Sequence, residues 1–357
     1  MPQRPSFASL QALRAIAALL VVLFHLRIVE ARYGDGAPLL PGAMRFADGG
    51  VDLFFVISGF IMATITAGAF RGPAAAARFM GRRAWRILPP YWLYTTLVVI
   101  LLAVAPGIAN SSYQDQGTLA SYLLWPQEQL PLLTVGWTLI HEMYFYLVIA
   151  ALIASGWRRL TPALLAWAAL VVLANMSTVA GAPWYALVTN VMTLEFIAGA
   201  LLGLYWRRIP AALGTSLLAC GALGFLVALP LLELLGAEQG PVLRTAVFGT
   251  ASTLLVAGAV MLESRGGFRV PARLRAVGDS SYSLYLSHVF VLSATGRLWH
   301  MSGLTGTWWQ HAGFIACALA LSVLAGLASY RWLERPLHRA GSDLLRPPVR
   351  TAATQSA

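Results

Sequence analysis

About ten stretches of some twenty mostly apolar residues follow one another along this chain, near 8–28, 50–69, 91–106, 136–155, 161–177, 185–205, 211–235, 242–262, 281–298 and 311–331. A run of that length is what an α-helix needs to cross a bilayer, where every backbone polar group must be satisfied internally. With 58% hydrophobic and only 11% charged residues and a mean hydropathy of +0.69, the composition is far from that of a soluble domain. The expected fold is all-α, a polytopic membrane bundle of about ten transmembrane helices over 1–337, with a polar, unstructured tail over 338–357. No internal repeat is visible.

The 25 basic residues are all arginine, since the chain has no lysine. If the N-terminus is cytoplasmic, the inner side receives Arg4, the cluster Arg71, Arg78, Arg82, Arg83 and Arg86, and the pairs Arg158/Arg159 and Arg207/Arg208. It also receives Arg265, Arg269, Arg273, Arg275 and the tail from Arg331 to Arg350. The outer side keeps Arg27, Arg32, Arg45, Arg244 and Arg297, so the positive-inside rule predicts both termini in the cytoplasm of a cell (inner) membrane protein. The net charge of +11 is then topological. Basic residues spread over several loops form no single face for nucleic acid.

The first run ends in "IVEA", loosely like a cleavage site, but it is longer than a leader's apolar core and is expected to be retained. Cys220 and Cys317 each sit alone in an apolar run, with no CxxC or nearby His pair. They predict packing residues, with no disulfide framework and no metal site.

Within the run "LRAIAALLVVLFHL", Arg14 and His25 stand eleven residues apart, within roughly 20° on one helical face and about 16 Å apart along it. Ionisable groups inside a span are costly and point to function. Counting depth from span ends puts Asp52 of "GGVDLFFVISGF" and Glu142 of "GWTLIHEMYFYL" in the outer half with His25. A carboxylate beside a histidine would fix its tautomer and make it a general base. Ser58, Glu195 and His288 are further intramembrane polar candidates. Ordinary readings stand beside these: Arg14 snorkelling, His25 at the interface, Asp52 capping its helix, Glu195 and His288 bonding neighbouring helices.

In "RFMGRRAWRILPPYW", Arg78, Arg82 and Arg86 fall at i, i+4 and i+8 with Arg83 alongside. Such a stripe serves topology and anionic lipid, or it grips phosphate by bidentate guanidinium bonds. Pro89 and Pro90 are expected to break this helix and start the next span.

Arg14 and His25 at their spacing, with "GGVDLFFVISGF", "RRAWRILPPYW", "GWTLIHEMYFYL", "SYSLYLSHVF" and "ERPL" in that order, resemble the membrane-bound acyltransferase 3 family. The resemblance runs from Leu13 to about Leu337. It implies an acyl-CoA donor at the cytoplasmic side and transfer of an acyl group to a hydroxyl of a glycan or lipid-linked sugar. The family's first-helix arginine and histidine fall on Arg14 and His25, and its W-(S/T)-L-x-x-E glutamate on Glu142. Thr138, Gly136 and Met143 bring the chain closer to exopolysaccharide O-acetyltransferases of the succinoglycan type, which implies acetyl-CoA. His141 departs from the family pattern.

The expected site is therefore His25, Glu142 and Asp52 for catalysis and Arg14, Arg78, Arg82, Arg83 and Arg86 for acyl-CoA. His25 would act as base, oriented by Glu142 or Asp52, or form an acyl-histidine. The competing class is a proton-coupled transporter or flippase of a glycan, which intramembrane charges would also suit. Against it stand the lack of visible inverted halves and an arginine loop that such a carrier would not use.

Overall fold

The computed structural model describes residues 7–66, 72–105, 116–156, 160–176, 181–235, 240–267 and 269–344; Arg4, Arg71, Arg158, Arg159, Arg346 and Arg350 lie outside them. Among the described residues the regular structure is entirely helical. In chain order come α1 (Ala8–Tyr33), α2 (Gly50–Thr66), α3 (Pro73–Val104), α4 (Thr118–Leu123) and α5 (Trp137–Ala154). They are followed by α6 (Leu160–Asn175), α7 (Pro183–Val188), α8 (Thr193–Tyr205), α9 (Gly214–Leu234) and α10 (Pro241–Arg244). Then come α11 (Thr250–Ser264), α12 (Ala272–Asp279), α13 (Ser281–Ser302), α14 (Trp308–Ser329) and α15 (Arg335–Leu344). One-turn π-helices join α10 to α11 (Thr245–Gly249) and α14 to α15 (Tyr330–Glu334).

Among the described residues eight helical stretches are long and apolar enough to cross a membrane. Each of the ten expected runs is mainly helical over its described residues, but α6 has 16 residues, short of the roughly 20 that span hydrocarbon. The helix α13 has 22 residues but is too polar to qualify by composition. Its polar side chains are turned inward, with Ser281, Ser283, Ser287 and His288 all buried between neighbouring helices. The outer surface is apolar, with Leu147, Leu170, Leu223, Leu226 and Leu324 exposed, as lipid contact requires. Cys220 and Cys317 are also exposed, so the expectation that they pack inside the bundle is not met. Each shares its outward helical stripe with such leucines, Leu223 after Cys220 and Leu324 after Cys317.

Helices α2 and α8 pack most intimately, and two glycines explain how. A Cβ on Gly59 would lie 2.0 Å from the Phe196 carbonyl oxygen, and one on Gly199 would lie 2.0 Å from that of Val56. Only hydrogen fits at either place, and small residues at facing positions let helix backbones approach in a bilayer. The start of α1 is tied down by Glu263, whose carboxylate accepts from the backbone N–H groups of Ala8 and Ser9 at 2.7 and 2.8 Å. That satisfies donors which a helix N-terminus leaves free.

Pro89 and Pro90 do not break the chain into two helices, as expected from sequence. Both lie inside the 32-residue α3. Their missing N–H groups cost two ladder bonds, but neighbours clamp the helix around them. Trp85 Nε1 donates to the Leu337 carbonyl at 2.8 Å, and Tyr282 Oη donates to that of Ile87 at 2.7 Å. Surrounding helices commonly stabilise prolines in membrane helices in this way.

The described residues that precede α5, from 116 onward, fold back into the bundle. Tyr91 Oη, well inside α3, donates to the Ser121 carbonyl at 2.7 Å, and Ser121 Oγ accepts the Leu132 N–H at 3.0 Å. Tyr285 of α13 donates to the Val135 carbonyl at 2.9 Å. The start of α5 is therefore packed inside the bundle, near the middle of α3 and the second turn of α13.

Candidate active site

That starting point moves Glu142. Counting residues from a surface put it level with His25; instead it lines a cavity of about 90 Å³ together with Arg14 of α1 and Arg83 and Arg86 of α3. Ser58 of α2, Thr138 and Tyr146 of α5 and Ser281, Tyr282 and Tyr285 of α13 complete its polar wall. Stretches scattered over the sequence thus meet here, and "ERPL" supports them from behind. Glu334 is buried and accepts from Ser283 Oγ at 2.6 Å.

Inside the cavity Glu142 accepts from Ser58 Oγ at 3.0 Å and from Tyr146 Oη in a short bond. Tyr146 stands one turn after Glu142 on α5, the i, i+4 relation that brings two helical side chains together. The Arg83 guanidinium lies over the rings of Phe79 and Tyr146, 5.9 and 5.8 Å from their centroids. Arg14 makes one long hydrogen bond, 3.5 Å to Gln11. Among the described residues neither Arg14, Arg83 nor Arg86 has an ion-pair partner within 4.0 Å. Three guanidinium groups face one carboxylate, so the cavity carries excess positive charge suited to a polyanion. Arg78 and Arg82 are exposed and do not line it; the expected stripe splits, with Arg83 and Arg86 inside and Arg78 and Arg82 outside.

His25 lies further along α1 and is not brought to either carboxylate. Its Nδ1 is 2.9 Å from the Val21 carbonyl oxygen and 3.2 Å from His288 Nε2. The two imidazoles meet edge to face, their centroids 4.9 Å apart. Tyr285, which lines the cavity, links it to this pair: its ring centroid lies 6.0 Å from that of His288 and 6.3 Å from that of Phe54, another lining residue. Tyr285 Oη also lies 2.8 Å from Thr138 Oγ1.

Asp52 belongs to a different cluster. Its Oδ2 accepts from Arg244 Nη2 at 2.7 Å, while Nη1 of the same guanidinium donates to Asp48 Oδ2 at 2.6 Å. Glu195 is buried beside the π-turn that follows Arg244, where a Cβ on Gly249 would lie 3.0 Å from its Cγ. His141 donates from Nδ1 to the Trp137 carbonyl at 3.0 Å, and its ring stacks on Phe55.

Sequence reasoning did not find the partners Tyr146, Tyr285 and Arg244. Tyr146 could have been found from its spacing to Glu142. Arg244 had no local signal, because an arginine at the start of an apolar run looks like an interfacial residue.

A helical membrane bundle enclosing an arginine-lined cavity is the class that fold and site define, and the comparisons with known proteins name it. The chain belongs to the acyltransferase 3 family, whose acyltransferase-domain model matches residues 7–327, and is accordingly an acyltransferase of the membrane. It is similar to the exopolysaccharide production protein ExoZ of Rhizobium meliloti (strain 1021), 35% identical over 307 residues that make up 82% of this chain and 90% of that protein. No solved structure matches the chain.

Proposed function

We propose that this protein moves an acetyl group from cytoplasmic acetyl-CoA to a hydroxyl of an exopolysaccharide or its lipid-linked precursor, in the cell (inner) membrane with both termini cytoplasmic. The observation that carries the reading is the trio Arg14, Arg83 and Arg86, three guanidinium groups around one cavity with only Glu142 in its lining to offset them. A fixed excess of guanidinium charge binds phosphate oxygens in bidentate geometry, and the phosphates of coenzyme A cannot enter hydrocarbon. They stay at the arginines while the slim pantetheine arm carries the thioester along α1 toward His25. The glycan acceptor is supported by the similarity to an exopolysaccharide production protein.

In this reading His25 Nε2 takes the proton of the acceptor hydroxyl as its oxygen attacks the thioester carbonyl. The C–S bond then breaks and the thiolate recovers the proton from the imidazolium, so an ester and free coenzyme A are formed with no net proton change. Glu142 holds Tyr146 and offsets the arginines, and Asp52 anchors Arg244.

The test is acyl analysis of glycan and lipid from cells supplied with isotopically labelled acetate and expressing the native chain or His25→Ala. A labelled ester present with the native chain and absent with the variant, at equal protein in the membrane, is the expected result. An ester that persists in the variant removes His25 from the chemistry.

A further inference from the structure

A base must present a free lone pair in a fixed direction, and for a histidine this depends on what holds its other nitrogen. The carboxylates expected to do so here are engaged elsewhere: Glu142 with Ser58 and Tyr146, Asp52 with Arg244. The partner found at His25 is another imidazole. A backbone carbonyl can only accept, so the 2.9 Å contact of His25 Nδ1 with the Val21 oxygen puts the hydrogen on Nδ1. The same reasoning applies to His288, whose Nδ1 is 3.2 Å from the Leu284 oxygen. A neutral His288 with its hydrogen on Nδ1 carries its lone pair on Nε2, and that atom lies 3.2 Å from His25 Nδ1. His288 is fully buried, and its ring sits 6.0 Å from that of Tyr285, centroid to centroid.

We propose that His288 is a positioning residue for the acyl transfer: its Nε2 shares the Nδ1 hydrogen of His25 with the Val21 carbonyl and leaves His25 Nε2 as the nitrogen that accepts the hydroxyl proton. This inference rests on the reading of His25 as the base. When His25 Nε2 takes the proton, positive charge reaches Nδ1–H, and its hydrogen bond to the His288 lone pair strengthens in the low-dielectric interior. A neutral partner does this without placing a buried negative charge beside the thioester. Tyr285 packs on His288 and lines the cavity, so the pair is fixed to the wall past which the acyl group must travel.

The test uses the full-length protein purified in detergent, labelled acetyl-CoA as donor, and exopolysaccharide stripped of its esters with mild alkali as acceptor. His288→Leu, His288→Gln and His288→Asn are compared at equal monodisperse yield. A Gln amide oxygen reaches the place of Nε2, whereas an Asn amide reaches only that of Nδ1. We expect His288→Leu to lower kcat about a hundredfold, a smaller loss than that of a charged orienting partner, with KM for acetyl-CoA within about twofold of native. His288→Gln should recover at least about tenfold of the loss and His288→Asn should not. The inference is overturned if His288→Leu keeps kcat within about threefold of native, or if Asn restores as much as Gln. Should the Leu variant fail to fold, the comparison of Gln with Asn decides alone. An active His25→Ala instead defeats the reading of His25 as base, whereas an inactive His25→Ala beside a fully active His288→Leu defeats only the role of His288.

Discussion

Arg244 donates to Asp52 across 2.7 Å while its other terminal nitrogen donates to Asp48, so one guanidinium ties the turn before α2, α2 itself and the start of the π-turn into α11. Asp52 is fully buried and Arg244 is three-quarters so. Removing one member of a buried pair strands the other charge and costs about 3 kcal/mol. Arg244→Leu should therefore lower the thermal unfolding temperature in detergent by several degrees, while the folded fraction keeps its KM for acetyl-CoA. A loss of kcat at unchanged stability would return this cluster to the chemistry.

The arginines of α3 should separate by function. Arg83 and Arg86 line the cavity while Arg78 and Arg82 are exposed, and one charge-assisted hydrogen bond to a phosphate is worth about 1.5–3 kcal/mol. Arg83→Ala and Arg86→Ala should each raise the KM for acetyl-CoA by about tenfold or more, and Arg78→Ala and Arg82→Ala by less than about threefold. Equal effects at all four positions would mean that the whole stripe binds the donor.

The contact of α2 with α8 has no room for a methyl group. A Cβ on Gly59 or Gly199 would overlap a backbone carbonyl at 2.0 Å, and the helices must move apart to admit it. Gly59→Ala and Gly199→Ala should each destabilise by about 1–3 kcal/mol, the range for overpacking. Since α2 carries Phe54, Phe55 and Ser58 of the cavity lining, kcat should fall with the stability. Thermal unfolding and rates measured on the same preparations check both.

At the opposite end of α1 from Arg14, Glu30 and His311 form a buried pair 2.7 Å apart. The Glu30 carboxylate also accepts the backbone N–H groups of Leu39 and Leu40, at 2.6 and 3.1 Å. Glu30→Gln should speed hydrogen exchange at those two amides by about tenfold, which corresponds to about 1.4 kcal/mol of local opening free energy. Unchanged exchange would mean that the loop is held by other contacts.

The membrane bundle was legible in the sequence because hydrocarbon imposes one requirement on every span and the runs display it. The arginine end was legible as a residue type, since guanidinium groups suit a phosphate, and of the five arginines singled out Arg14, Arg83 and Arg86 line the cavity. Depth was not legible. Residue counting places Glu142 correctly only if α5 starts at a surface, and the return of the chain past Tyr91 and Ser121 removes that premise. Pairings between distant helices were equally hidden, because Arg244 and Asp52 are 192 positions apart and His288 and His25 are 263 apart. Periodicity reports which face a residue occupies and says nothing of which helix will meet that face.

Arg14 and His25 stand on one uninterrupted helix, Ala8–Tyr33, and an α-helix does not stretch. Their separation of about 16 Å is set by eleven increments of 1.5 Å and acts as a ruler for whatever lies between them. One residue inserted between Val21 and Phe24 would lengthen the ruler by only about 1.5 Å but rotate everything beyond it by about 100°. His25 would be carried off its face while Arg14 stayed in the cavity. If the donor lies as proposed, the spacing of these two residues sets both its reach and the direction from which it is met.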